Sequence, residues 1–187
     1  MTGDASNKHA GNRQAAGDGG QGAGPAHDPR AILFVCLGNI CRSPLAEGLF
    51  VHLAQRRGVD GLTVDSAGTG HWHVGERPDR RAQATADRYG IALPSVARQV
   101  DPGSDFARFG LIVPMDASNH RDLLRLGCPA GRLRRMRAFD PAHAHDPDNA
   151  PDVPDPYWGG EGGFDEVYHM LTRACEGLLD TLRQPAQ

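Results

Sequence analysis

The stretch Val35-Cys36-Leu37-Gly38-Asn39-Ile40-Cys41-Arg42-Ser43-Pro44 decides how this chain folds. An apolar run, Ile32-Leu33-Phe34-Val35, enters it. A helical pattern leaves it: Ser43 suits a cap, Pro44 suits the first helical position, and apolar residues recur at Leu45, Leu49, Phe50 and Leu53. Between lies a loop in which five residues separate Cys36 from Arg42. Consecutive backbone N–H groups in so tight a loop form a nest for an anion, and the helix N-terminus adds its partial positive charge. Gly38 lets the backbone come close, and Asn39 tolerates a left-handed conformation. Arg42 can fork two oxygens of a phosphate, which a lysine cannot. The same surroundings favour Cys36 as a thiolate, with Ser43 able to donate a hydrogen bond to it. Leu37, Gly38, Asn39, Ile40, Cys41 and Ser43 are thus expected to cradle an oxyanion, with Cys36 as the nucleophile.

Outward from the loop, short apolar runs alternate with amphipathic helices. Strands are expected at residues 32–35, 62–64, 111–113 and, weakly, 133–136. Helices are expected at 43–57, 78–89, 118–126 and 164–182, with a helical turn at 105–109; Gly58, Gly90 and Gly127 stop the first three. The last carries one stripe through Phe164, Val167, Tyr168, Leu171, Leu178, Leu179 and Leu182. This order implies an α/β fold: a single doubly wound domain, a four-stranded parallel sheet with helices on both faces, and the phosphate-binding loop between the first strand and the first helix. Ligands in such sheets bind beyond the carboxyl ends of the strands. The loops carrying Cys36 to Arg42, Trp72, Asp116 and Asp155 should therefore meet at one crevice.

Residues 1–29 hold Met1 as their only large apolar side chain and are expected to be a disordered tail. The folded part is expected over 30–183, with 184–187 as a short C-terminal tail. The 187 residues carry a formal net charge of −3, so there is no global case for nucleic acid, and any basic character must be local. Four cysteines, unevenly placed, do not make a disulfide scaffold. With no secretory or membrane-spanning apolar run, a cytoplasmic protein is expected. The short His71/His73 and His143/His145 spacings lack a closed ligand set, so neither a metal nor a cofactor is expected.

The residues from Val35 to Pro44, with Ala46, Glu47 and Phe50, closely resemble the low-molecular-weight protein tyrosine phosphatases. The resemblance continues through Asp65-Ser66-Ala67-Gly68-Thr69, Trp72-His73-Val74-Gly75, Asp79-Arg80-Arg81-Ala82, Ala97-Arg98-Gln99, Met115-Asp116-Ala117-Ser118-Asn119 and Asp155-Pro156-Tyr157-Trp158-Gly159. It implies hydrolysis of protein phosphotyrosine through a cysteinyl-phosphate. Cys36 would be the nucleophile, Arg42 the transition-state clamp, and Asp155 the acid that protonates the leaving group and later activates water. Chemistry alone asks for such an acid on a crevice loop, but does not choose among Asp140, Asp146, Asp148, Asp152 and Asp155. Trp72, Tyr157 and Trp158 would wall a slot for an aryl ring. Cys41 would be a redox partner of the nucleophile; its alternative is a small residue packed under the loop. Asp116 is either a loop-positioning residue or a plain helix cap. Family members often carry a histidine at the position of Ser95 to support the loop asparagine, so Ser95 is expected to take that part. The resemblance also implies a phosphotyrosine protein as partner, such as a bacterial tyrosine kinase, and phosphate or other oxyanions in the loop.

Relatives of the same fold include protein-arginine phosphatases and arsenate reductases. The former carry threonine where this chain has Ile40, an apolar neighbour better suited to a phenyl ring. The latter relay a disulfide through further cysteines, whereas Cys128 and Cys175 read as packed residues. A reading of another class is a phospho-binding or thiol redox-sensing module without turnover. Such a module would usually lack one of Cys36, Arg42 and Asp155, and all three are present.

Overall fold

The computed structural model describes residue 28, residues 30–160 and residues 162–183. Apart from Asp28, the expected tails at 1–29 and 184–187 lie outside the described residues. Strand β1 (Ala31–Cys36) is buried along its whole length. Ile32 and Phe34 face a core built with helix α1 (Arg42–Arg56) and helix α5 (Gly163–Arg183). Leu33 and Val35 face a second core on the other side, with Phe106, Phe109, Ile112 and Leu123. An unbroken apolar run is what a strand covered on both faces requires.

Strands β2 (Thr63–Gly68) and β3 (Leu111–Pro114) flank β1 in parallel, in the order β2-β1-β3. Helices α2 (Arg80–Arg88), α3 (Asp105–Arg108) and α4 (Ala117–Arg125) complete the regular elements. Pairing of Val35 with Pro114 and of Cys36 with Gly68 brings the three strand ends to one level. That level is the floor of the crevice.

Three expectations need correction. The sheet has three strands among the described residues, not four. Leu133 makes a single bridge to Ile112, and the chain then turns at Met136–Phe139, burying Met136, Ala138 and Phe139. Burial of those side chains wins over continuation of a strand whose next residues are Arg134 and Arg135, and Pro114 brings no N–H to a longer ladder. Strand β2 runs on through Asp65, Ser66, Ala67 and Gly68, where a loop was expected from Ser66. Its polar residues are in the ladder because their side chains serve the loop beside it. Finally, α1 begins at Arg42, so Ser43 lies inside its first turn and makes no cap.

Helix α5 lies against the Met136–Phe139 turn so closely that only glycine fits at position 177. A Cβ there would sit 1.9 Å from the carbonyl oxygen of Phe139, a backbone atom that cannot swing aside. Gly177→Ala should therefore destabilise the fold by about 1–3 kcal/mol, the usual range for overpacking. A urea unfolding midpoint equal to that of the parent would refute this contact.

Candidate active site

The loop from Cys36 to Arg42 is held from below by one side chain. Asn39 has φ of +56°, the only non-glycine positive value among the described residues. Its conformation is locked by hydrogen bonds to three segments. Its Nδ2 donates to Ser43 Oγ and to Ser66 Oγ, both at 2.9 Å, and its Oδ1 accepts from the backbone N–H of Arg98 at 2.9 Å. Ser66 in turn donates to Glu47 at 2.6 Å, and Ser95 also hydrogen-bonds Glu47. Ser95 therefore supports the loop at one remove, through Glu47, and not by direct contact with Asn39. The direct supports are Ser66 and the Arg98 backbone.

Above this brace sits Cys36. Its Sγ lies 3.0 Å from Ser43 Oγ and accepts from the Asn39 N–H at 3.2 Å. The serine hydroxyl that sequence would assign to a cap is thus spent on the thiol. Arg42 is almost fully buried and donates to Asp116 at 2.6 Å, to Asp155 at 2.8 Å and to the Val153 carbonyl at 3.0 Å. Burial alone would lower its pKa. The charges of Cys36, Asp155 and Asp116 outweigh that and push it upward, so the guanidinium is permanently charged. Asp116 also caps α4, accepting from the Asn119 N–H at 2.7 Å. The two alternatives for Asp116 are therefore one residue with two tasks, and its hold on Arg42 was not visible in the sequence.

A pocket of about 170 Å³ opens over the thiol, lined by Cys36, Leu37, Gly38, Ile40, Cys41, Arg42, Trp72, His73, Asp155, Tyr157 and Trp158. All three aromatic residues expected at the wall line it, although Trp72 is 65% and Trp158 89% exposed. Tyr157 and Trp158 meet edge to face at 4.9 Å, and the Asp155 carboxylate accepts from the Tyr157 N–H. Arg81 fixes this corner by donating to the Tyr157 carbonyl. His73, also on the wall, stands out in the sequence only through its spacing from His71, weighed there as a metal-ligand pattern, and as part of the Trp72–Gly75 motif. Its ring is held by Glu76 at 2.8 Å.

The other cysteines are placed differently. Cys41 packs with Ile40, Ala82, Ala97 and Phe164. Burial, then the charge of Asp79, pushes its thiol well up. Burial raises the Cys128 thiol to about 11 and the Cys175 thiol still further. Cys128 and Cys175 belong to cores on opposite faces of the sheet, so they do not form a pair with each other.

The model of the low molecular weight phosphotyrosine protein phosphatase family matches residues 31–187. The chain belongs to this family. It is 42% identical over 154 residues to low molecular weight protein-tyrosine phosphatase A of Mycobacterium tuberculosis, covering 82% of this chain and 91% of that one. A protein tyrosine phosphatase structure from Entamoeba histolytica superposes with a TM-score of 0.74 at 38% identity, over 81% of this chain and 96% of that one. A Drosophila arginine phosphatase structure does so with a TM-score of 0.74 at 30% identity, over 83% and 99%.

Within this member of the family, Glu47 is the titratable group beneath the loop. Burial, ahead of repulsion from Asp65, raises its carboxyl above the ordinary value despite hydrogen bonds from Ser66 and Ser95. A raised carboxyl means that the folded state holds the proton more tightly than the unfolded state does. Ionisation of Glu47 then opposes folding, an effect absent below the unfolded value of about 4.3 and fully present above the folded one. Glu47→Gln should therefore match the parent in stability near pH 4 and gain on it progressively toward pH 7. Urea midpoints measured at both pH values check this, and a pH-independent difference would rule it out.

Proposed function

We propose that the chain hydrolyses phosphotyrosine in proteins through a cysteinyl-phosphate intermediate. The observation that carries this reading is the convergence of Cys36, Arg42 and Asp155 on one small aromatic-walled pocket above a loop of backbone amides. The phosphate takes the loop amides and the side of the Arg42 guanidinium that Asp155 holds, while Asp116 and the Val153 carbonyl keep the other outer nitrogen. The Cys36 thiolate attacks phosphorus in line, and the S–P bond forms as the bond to the phenolic oxygen breaks. Asp155, released from Arg42 by the incoming dianion, takes up a proton from solvent and delivers it to that oxygen. In the second step the Asp155 carboxylate takes a proton from water, which attacks phosphorus. The S–P bond then breaks, and Cys36 leaves as a thiolate stabilised by Ser43 and the Asn39 N–H.

The aryl group is read by Ile40, Trp72, Tyr157 and Trp158. Among the described residues Asp155 is the sole carboxylate on the pocket wall, and Arg42 already claims it. A guanidinium would find no second anionic partner there, which favours phosphotyrosine over phosphoarginine. The physiological partner in this reading is a phosphotyrosine protein such as a bacterial tyrosine kinase. A cytoplasmic setting, where thiols stay reduced, suits four free cysteines. No described helix is long and apolar enough to cross a membrane.

Asp155→Ala should slow aryl phosphates with poor leaving groups by about 10²–10⁴-fold while slowing those with good leaving groups far less. Equal slowing of both series would make Asp155 structural. A panel of phosphotyrosine, phosphoarginine and arsenate should show phosphotyrosine as the preferred substrate, with Cys36→Ser inactive yet still binding phosphate. Preference for phosphoarginine would overturn the aryl reading, and turnover by Cys36→Ser would overturn the mechanism.

A further inference from the structure

Although the chain is net negative, one surface beside the pocket is positive. In the segment Arg132-Leu133-Arg134-Arg135-Met136-Arg137 four of six residues are arginine. The bridge of Leu133 to Ile112 and the buried Met136 leave Arg134 exposed and Arg135 half-buried beside α4. There a depression of about 480 Å³ is lined by Arg121, Arg134, Arg135 and His120, with Asp148 as its one carboxylate. Arg135 is committed, to Asp152 and to the Asp148 carbonyl. Arg121 and Arg134 are exposed and, among the described residues, neither meets a carboxylate; Arg134 lies over the Phe139 ring and donates to the Ala138 carbonyl, contacts that leave its charge without an anion. Arg135 and Arg121 both repel the protonated form of His120, which places the three side chains around one space.

This depression adjoins the active-site crevice through shared lining residues. A second trough, of about 430 Å³, starts at Arg42 and Asp155, passes Asp116 and Asn119, and ends at Arg121. Ala117 and Arg121 line both. The carboxylates along the trough are already matched: Asp116 and Asp155 by Arg42, and Asp152 by Arg135. An acidic chain lying in it would therefore meet neutralised carboxylates first and unpaired arginines at the far end.

We propose that the basic depression at Arg121 and Arg134 is a subsite for an acidic or phosphorylated side chain of the phosphotyrosine substrate. This rests on the phosphatase reading of the pocket. Arg121 stands about 7 Å along the α4 axis from Asp116, which is in contact with Arg42. An extended peptide advances about 3.3 Å per residue, so the subsite reaches a side chain roughly two to three residues from the phosphotyrosine. Specificity then comes from two separate features, an aryl slot over the thiol and a cationic end to the trough. The guanidinium forks suit a carboxylate or a phosphate monoester alike.

The test compares phosphotyrosine peptides of one length. One set carries glutamate or phosphoserine two or three residues from the phosphotyrosine on either side, and the other carries glutamine or serine. The parent should prefer an acidic peptide through a lower KM by about three- to tenfold, and 0.5 M salt should erase that preference. Arg121→Glu and, separately, Arg134→Gln should remove it while leaving p-nitrophenyl phosphate hydrolysis unchanged, which also shows that each variant is folded. Equal KM values for acidic and neutral peptides in the parent would overturn the subsite, as would a preference that survives in both variants. If the parent fails on p-nitrophenyl phosphate and on every peptide, the phosphatase reading itself has failed.

Discussion

The structure depends on a single amide. Asn39 holds a backbone conformation that a side-chain-bearing residue rarely adopts, and its three hydrogen bonds join the phosphate loop to β2 and to the segment before α3. Without it nothing would turn successive N–H groups inward, because the loop is too short to be fixed by its own backbone pairing. The brace is itself braced. Ser66 is in β2, Glu47 is on α1, and both elements are fixed to β1 by the core. The geometry of an exposed anion site is thus set by residues that no ligand touches.

Burial of β1 on both faces gives this arrangement its rigidity. Side chains alternate into two separate cores, so the strand cannot slip by one residue without exchanging them. Its last residue, Cys36, inherits that fixed position. α1 departs from the other end of the loop and is clamped by α5 through Leu45, Leu49, Phe50 and their partners. The loop is therefore suspended between two elements that cannot move relative to each other without opening a core.

Much of this could be read from the sequence. The loop, the two-sided strand and the helical stripe of α5 rest on local chemistry and periodicity, and they are where the spacing puts them. Three things were not legible. The extension of β2 was hidden because Asp65 and Ser66 are polar for reasons that lie on other elements. The missing fourth strand was obscured because Leu133 and Met136 are apolar enough for a strand, yet Met136 is buried through a turn under α5. The grip of Asp116 on Arg42 joins residues 74 positions apart, and no local pattern carries such a contact. For Ser43 the contact with the thiol was expected and is present, while the cap was not, because Arg42 is already helical.

The contact of Arg42 with Asp155 has a further consequence. The guanidinium is not waiting for an anion; it already holds one, supplied by the protein. Any oxyanion entering the loop competes with that internal carboxylate, so its net binding is the difference between two anions' claims on one cation. A singly charged visitor gains little by the exchange, whereas a doubly charged phosphate ester gains more. The same carboxylate returns as the phosphate departs, so the site is cleared by a ligand tethered to its own wall.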